Sequence, residues 1–157
     1  MNDGIYPANY YQIHDLLACS GQPNEAQLQH IAACGYQVVI NLALVNSEPS
    51  LLNEDEMVSQ LGMTYVHIPV LWNAPKLQDF ILFAELLTAY RRPKVWLHCA
   101  KNMRASCFLY LYQKHILHYD EARARYPMAN IWQPNEVWSA FIEQVSQYFS
   151  RRPVASC

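Results

Sequence analysis

Hydrophobic residues along the chain form two patterns, short continuous runs and longer stretches with helical spacing. The runs at residues 38–44, 65–70 and 95–98 predict buried strands, because they are short, mostly apolar and rich in β-branched residues. Pro69 removes a backbone donor from the second run and limits its pairing near the end. The pattern therefore predicts three strands.

The stretches with helical spacing alternate with these strands. They predict helices at residues 24–34, 53–62 and 77–91, from Met103 onward, and at residues 134–149. Asn53 with Glu56 three residues later is typical of a capping box at the start of the second helix, and Gly62 marks its end. We expect the helix after Met103 to be buried, since it begins apolar on most faces.

The predicted element order is β-α-β-α-β-α with one extra helix at each end. It predicts an α/β fold of three layers, in which a mostly parallel central sheet carries helices on both faces. We expect residues 1–157 to form a single domain. Ligands of such sheets bind beyond the carboxyl ends of the strands, where the loops are residues 45–50, 71–75 and 99–103.

Composition and charge exclude some classes of function. Hydrophobic residues make up 52% of the chain and charged residues 15%, which is typical of a globular protein. The formal net charge is −2, and no cluster of lysine and arginine is longer than a pair. We therefore expect no nucleic-acid partner, and any anion site must be built locally from a few donors.

The N-terminal sequence and the cysteine usage favour a cytoplasmic protein. Residues 1–11 lack the basic-then-apolar layout of a signal peptide, and the longest apolar stretch, near residues 80–90, is too short to span a bilayer. We thus expect no association with a membrane. The chain has 5 cysteines and no C-x-x-C pair, a usage that favours free thiols.

Candidate chemistry is concentrated in the loop after the third strand. The loop and its flanks read His98-Cys99-Ala100-Lys101-Asn102-Met103-Arg104-Ala105-Ser106. A loop between a strand end and a helix start directs several N–H groups to one spot, and together with the helix dipole they form an anion site. We expect the N–H groups of residues 100–104 and the guanidinium of Arg104 to bind a tetrahedral oxyanion. Cys99 would lie at the bottom, where these donors hold it as a nucleophilic thiolate.

Two neighbours are expected to support this loop. His98 should point away from the anion site, because successive strand residues face opposite sides, and brace the loop by a hydrogen bond. Ser106 is expected to bond to the sulfur or to assist a leaving group. His115 and His118 stand three apart on a helix without an evident third ligand, so we predict no metal site.

His98-Cys99, Arg104 and Ser106 resemble the signature loop of the cysteine-dependent protein tyrosine and dual-specificity phosphatases. The wider chain is more similar still to one bacterial branch of that superfamily. This branch is the phosphatase-like domain also found fused to β-lactamase-like hydrolases and, in a related form, to NAD kinase. The matching segments are Ser20-Gly21-Gln22-Pro23, Val39-Ile40-Asn41-Leu42, residues 62–70, Ala74-Pro75, and His98-Cys99 with Arg104-Ala105.

This resemblance implies a phosphatase fold with no metal or other cofactor. It implies that the chain hydrolyses a phosphomonoester through a cysteinyl-phosphate intermediate on Cys99. It further implies that the loop binds phosphate or sulfate, and that the substrate is a phosphorylated protein or small molecule.

The spacing between Cys99 and Arg104 leaves a second enzyme class open. Only four residues separate them, one fewer than in typical tyrosine phosphatases, and this shorter loop resembles that of rhodanese sulfurtransferases. A smaller cup suits a persulfide sulfur on Cys99, although the phosphatase-like branch also uses the shorter spacing. The loop lacks glycine, so we expect Asn102 to adopt the left-handed conformation that such loops need.

The general acid is the least defined part of the predicted site. Residues 71–75 contain no carboxylate, although phosphatases of this kind carry an aspartate on that loop. Asp79 in the next helix is the candidate, and Glu48 on the loop after the first strand is a weaker one. General acid catalysis typically contributes about 10²–10⁴-fold, so we predict slow turnover that is least impaired for aryl phosphates. A catalytically weak phosphate-binding module is the third reading that the sequence leaves open.

Overall fold

The computed structural model describes residues 4–151, which contain five strands and seven helices. Cys157, one of the cysteines counted above, lies outside these residues. The strands are β1 (Tyr11–His14), β2 (Leu17–Ser20), β3 (Val38–Asn41), β4 (Thr64–His67) and β5 (Val95–His98). The helices are α1 (Glu25–Ala33), α2 (Glu54–Gln60), α3 (Leu77–Ala89), α4 (Met103–His115), α5 (Glu121–Ala124), α6 (Met128–Ile131) and α7 (Glu136–Arg151). No helix within residues 4–151 is long and apolar enough to cross a membrane.

The strands form one sheet in the order β1-β2-β5-β3-β4. The neighbouring pairs among β2, β5, β3 and β4 are parallel, and β1 pairs antiparallel with β2. In the central strand β5, Leu97 pairs with Cys19 of β2 on one side and with Ile40 of β3 on the other. The predicted fold class, a mostly parallel sheet between helices, is confirmed.

The predicted number of strands is wrong, because β1 and β2 precede the first predicted strand. All four residues of β2, Leu-Ala-Cys-Ser, are buried, but two of them are small or polar and give no apolar run. β1 alternates between half-buried and exposed residues, as expected for a strand at the edge of a sheet. These strands matter for function because β2 lies beside β5 and leads directly into a segment that contacts the cysteine loop.

Helices cover both faces of the sheet. On one face, α1 and α2 pack against Val39 and Trp96. On the opposite face, α3, α4 and α7 pack against Ile40 and Leu97. Residues 104–113 of α4 are all buried, which confirms the expectation from its apolar start.

The predicted capping box of Asn53 and Glu56 is wrong. Asn53 has a φ of 59°, and its side chain makes no capping hydrogen bond. A capping side chain needs an extended backbone at its own residue in order to reach the first N–H groups of the helix, and the left-handed conformation does not provide it. Asn24 and Gln27 form a capping box instead, at the start of α1.

Candidate active site

The cysteine loop lies at the carboxyl end of the central strand β5. It borders a cleft of about 400 Å³. The residues that line this cleft are Leu44, Asn46, Ser47, Glu48, Trp72, Cys99, Ala100, Lys101, Met103 and Arg104. They come from the loops that follow β3, β4 and β5, so the three loops expected at this edge of the sheet meet around one space.

Neighbouring segments hold the carbonyl groups of the loop. The N–H of Gln22 donates to the carbonyl oxygen of Ala100 at 3.0 Å. The side-chain amide of Asn9 donates to the carbonyl oxygen of Lys101, also at 3.0 Å. Since these carbonyl groups bond to the protein, their peptide planes are fixed, including the plane that carries the N–H of Lys101.

Several N–H groups of the loop have no partner among the described residues. Within residues 4–151, no acceptor binds the N–H groups of Ala100, Lys101, Met103 or Arg104. Asn102 has a φ of 62° and a ψ of 19°, which confirms the left-handed conformation expected at this residue. The turn at Asn102 lets successive N–H groups converge, as in other anion-binding loops.

Gly21 permits the close approach of its segment to the cysteine loop. Its N–H donates to the carbonyl oxygen of Ala8 at 2.7 Å. A Cβ atom at residue 21 would lie 2.8 Å from the carbonyl oxygen of Ala100 and 3.1 Å from that of Ala8. Both of these atoms belong to the backbone and cannot rotate away. The Ser20-Gly21-Gln22-Pro23 motif is therefore a support for the cysteine loop.

Arg104 is buried and anchored on two sides. Only 6% of the residue is exposed. Its Nη1 donates to the carbonyl oxygen of Val70 at 3.0 Å, and its Nη2 donates to Oγ of Ser47 at 3.3 Å. A guanidinium has five N–H donors, so these two bonds fix its plane and leave donors for a ligand in the cleft.

The sulfur of Cys99 lies at the N-terminal end of α4. The residue is 1% exposed, and its Sγ accepts from the N–H of Ala105 at 3.5 Å. The expected hydrogen bond from Ser106 to this sulfur is not formed. The hydroxyl of Ser106 donates to the carbonyl oxygen of Met103 at 3.1 Å and accepts from Nε1 of Trp132 at 3.2 Å, because the side chain faces α6 rather than the loop.

Trp72 forms an aromatic wall of the cleft and packs against two further tryptophans. Its ring centroid lies 5.5 Å from that of Trp132 and 5.6 Å from that of Trp138. Nε1 of Trp138, on α7, donates to the carbonyl oxygen of Trp72 at 2.9 Å. The last helix thus positions one wall of the site.

The two carboxylates considered as general acids lie in different places. Glu48 lines the cleft and follows Ser47, which bonds to Arg104. Asp79 lies in the first turn of α3 and is not among the residues that line the cleft. Burial raises the pKa of Asp79, and the charge of Lys76 opposes this shift.

A buried network that the sequence analysis missed lies behind the loop. Glu54 Oε1 accepts from Nε2 of Gln22 at 2.8 Å, and Oε2 accepts from Nδ2 of Asn41 at 3.0 Å and from the hydroxyl of Tyr65 at 2.9 Å. Nε2 of His98 lies 2.8 Å from Oε1. Burial by itself raises the pKa of Glu54, but the interaction with His98 and the hydrogen bonds from Gln22 and Tyr65 outweigh it and lower that pKa below its ordinary value.

The remaining described cysteines are free, as expected. Cys19 is buried and accepts from Nδ2 of Asn102 at 3.3 Å. Burial raises the pKa of Cys19 to about 12, against the opposing hydrogen bond from Asn102. Burial also raises the pKa of Cys107, whereas Cys34 is exposed.

A structure from Shewanella putrefaciens CN-32, described as "Putative phosphatase (DUF442)", shares this fold and about a third of the aligned sequence. It is 32% identical, the alignment covers 95% of this chain and 99% of that one, and the TM-score is 0.81. The chain belongs to this DUF442 family. No family model matches the chain.

Among curated proteins, this DUF442 member is similar to the "Beta-lactamase hydrolase-like protein" of Xylella fastidiosa (strain Temecula1). The two are 30% identical over 96 residues, which are 59% of this chain. The aligned part spans only 22% of that longer protein. The resemblance to a phosphatase-like domain found in such hydrolases is thereby confirmed.

The cysteine phosphatases share the fold at lower identity. TpbA of P. aeruginosa, solved in complex with pTyr, has a TM-score of 0.69 and is 15% identical. The alignment covers 92% of this chain and 91% of TpbA. The DUF442 member therefore has the fold of the protein tyrosine and dual-specificity phosphatases.

Proposed function

We propose that this chain is a cysteine-dependent phosphatase of the protein tyrosine and dual-specificity type, which hydrolyses a phosphomonoester. The observation that carries this proposal is that Cys99, Arg104 and the unpaired N–H groups of the loop border one cleft. The similarity to a structure described as "Putative phosphatase (DUF442)" supports it, as does the fold shared with TpbA.

In the first step, Sγ of Cys99 attacks phosphorus in line with the leaving oxygen. The S–P bond forms as the P–O bond breaks, and the phosphoryl group passes to the cysteine. The substrate phosphate reaches this position by binding to the loop N–H groups, which also bind inorganic phosphate or sulfate.

Arg104 and the loop N–H groups stabilise the equatorial oxygens in the transition state. Val70 and Ser47 already hold the guanidinium, so little reorganisation is needed when charge develops. In the second step, water attacks phosphorus, the S–P bond breaks, and Cys99 leaves as thiolate while phosphate is released.

Glu48 is the proton donor that the cleft favours. As a carboxylic acid it gives its proton to the leaving oxygen in the first step, and as a carboxylate it takes a proton from water in the second. It lines the cleft, whereas Asp79, the candidate from the sequence, does not. Asp79 is therefore the second candidate for this role.

The substrate is a phosphorylated protein or small molecule. The aromatic wall formed by Trp72 suits a planar group next to the phosphate, and TpbA, which has the same fold, was solved with pTyr. A cytoplasmic location of the chain stays a prediction.

Two other functions each have one observation in their favour. The four-residue spacing between Cys99 and Arg104 favours a sulfurtransferase in which Cys99 carries a persulfide. The absence of a carboxylate from residues 71–75 favours a phosphate-binding module with weak catalysis.

One paired assay separates the three functions. Hydrolysis of p-nitrophenyl phosphate and sulfur transfer from thiosulfate to cyanide are measured for wild type, Cys99→Ser, and Cys34→Ser as the control for an exposed thiol. We expect phosphate release by wild type and Cys34→Ser, and a loss of roughly 10⁴-fold or more in Cys99→Ser.

Other outcomes point to the alternatives. Thiocyanate formation without phosphate release would identify a sulfurtransferase. Neither activity, with phosphate still quenching tryptophan fluorescence in the cleft, would identify a binding module.

A further inference from the structure

Glu54 is a buried carboxylate that the proposed reaction does not use. It is the first residue of α2 and is 5% exposed. Its three hydrogen-bond donors come from the Gly21 segment (Gln22), from β3 (Asn41) and from β4 (Tyr65). Because these three donors bond to it, the carboxylate is held ionised and in one orientation.

His98 lies between this carboxylate and the cysteine loop. Its Nδ1 is 3.1 Å from the carbonyl oxygen of Cys99, and its Nε2 is 2.8 Å from Oε1 of Glu54. Within residues 4–151, Nε2 has no hydrogen-bond partner, so its close contact with Oε1 is not aligned as a hydrogen bond. The ring is 0% exposed, so bulk water does not compete for it.

We propose that Glu54 is a positioning residue for the cysteine loop, which acts by holding the ring of His98 against the carbonyl of Cys99. His98 in turn holds the carbonyl of Cys99, since its Nδ1 lies 3.1 Å from that oxygen. A fixed peptide plane keeps the loop N–H groups turned toward the cleft, and donors that converge near a sulfur favour its thiolate over the thiol. Within residues 4–151, Glu54 is the charged side chain in ion-pair contact with His98.

This inference rests on the proposed role of Cys99 as nucleophile, and the test measures its thiolate without requiring turnover. The rate at which iodoacetamide alkylates Cys99 is followed against pH by mass spectrometry of the peptide that contains it. Cys34, which is exposed, serves as the reference thiol in the same samples.

Glu54→Gln removes the charge and keeps the size of the side chain. We expect the midpoint of the alkylation profile of Cys99 to move to higher pH, and the rate below that midpoint to fall about tenfold. Glu56→Gln is the matched control, since it removes an exposed charge from the same helical turn. Its profile should equal that of wild type.

Tyr65→Phe is the milder variant, because it removes one of the hydrogen bonds to Glu54. It should move the midpoint of the alkylation profile of Cys99 in the same direction, but by a smaller amount. If Glu54→Gln does not fold, Tyr65→Phe alone tests the inference. A wild-type profile in the folded variants, even with reduced thermal stability, would show that the network is only structural and would overturn the inference. Since alkylation needs no turnover, an inactive wild type would refute the proposed phosphatase without affecting this measurement.

Discussion

Two clefts lie next to each other at the carboxyl end of the sheet. They differ in whether their polar groups have hydrogen-bond partners in the protein. They share Leu44 as a lining residue. In the cysteine cleft, the N–H groups of residues 100, 101, 103 and 104 have no acceptor within residues 4–151. In the second cleft, of about 490 Å³, the carboxylate of Glu54 accepts three hydrogen bonds and also contacts His98.

Size does not separate these clefts by function, because the second is larger than the first. The clefts are distinguished instead by whether their polar groups are hydrogen-bonded to the protein. Buried polar groups are normally paired, so several unpaired donors converging on one space indicate a site for an anionic ligand. A carboxylate whose partners are all protein groups has no free capacity and instead fixes the elements around it. We infer that the cysteine cleft performs the chemistry of the proposed function and that the hydrogen-bonded network of Glu54 keeps that cleft in shape.

Arg104→Lys is expected to have the largest effect on the activity of the cysteine cleft. Lysine keeps the positive charge but has no planar fork, so it cannot bond to Val70 and Ser47 and grip two phosphate oxygens at once. We expect kcat/KM for p-nitrophenyl phosphate to fall roughly 10²–10³-fold. Arg92→Lys, an exposed position, is the matched control and should behave as wild type. An unchanged kcat/KM in Arg104→Lys would mean that charge alone, without geometry, suffices in this cleft.

Glu48→Gln tests whether the cysteine cleft contains its own acid. Gln cannot donate a proton, so hydrolysis of an alkyl phosphate, whose leaving group needs one, should fall about 10²-fold. Hydrolysis of p-nitrophenyl phosphate should change little, because nitrophenolate leaves without protonation. The measurement is the kcat/KM for the alkyl phosphate divided by the kcat/KM for p-nitrophenyl phosphate.

Asp79→Asn is the parallel variant for this experiment. It should leave the ratio unchanged, since Asp79 does not line the cleft. If Asp79→Asn lowers the ratio and Glu48→Gln does not, the acid comes from α3, as the sequence analysis expected.

The residues of the cysteine cleft could be predicted from the sequence. The Glu54 network of the second cleft could not. Cys99, Arg104 and the left-handed turn at Asn102 lie within one short segment, so strand alternation and helix-start rules suffice to find them. Glu54 stands among three consecutive acidic residues and reads as part of a solvated first turn. Its burial depends on donors far along the chain, such as Gln22 at a separation of 32 residues. Local patterns carry no information about such contacts.

Gly21→Ala has the smallest expected effect and tests whether the support behind the cysteine loop shapes the cysteine cleft. The added Cβ would lie 2.8 Å from the carbonyl oxygen of Ala100, so one of the two segments must shift. We expect this shift to lower the free energy of unfolding by about 1–3 kcal/mol. Gly62→Ala is the matched control: Gly62 has a φ of 80° and open space around it, so alanine there costs about 1–2 kcal/mol by backbone strain alone. Both variants should unfold at lower temperature. Only Gly21→Ala should also weaken phosphate binding, measured by tryptophan fluorescence, because only there does the strain reach the loop whose N–H groups bind the anion. Equal phosphate affinities in the two variants would show that the loop keeps its shape without this support.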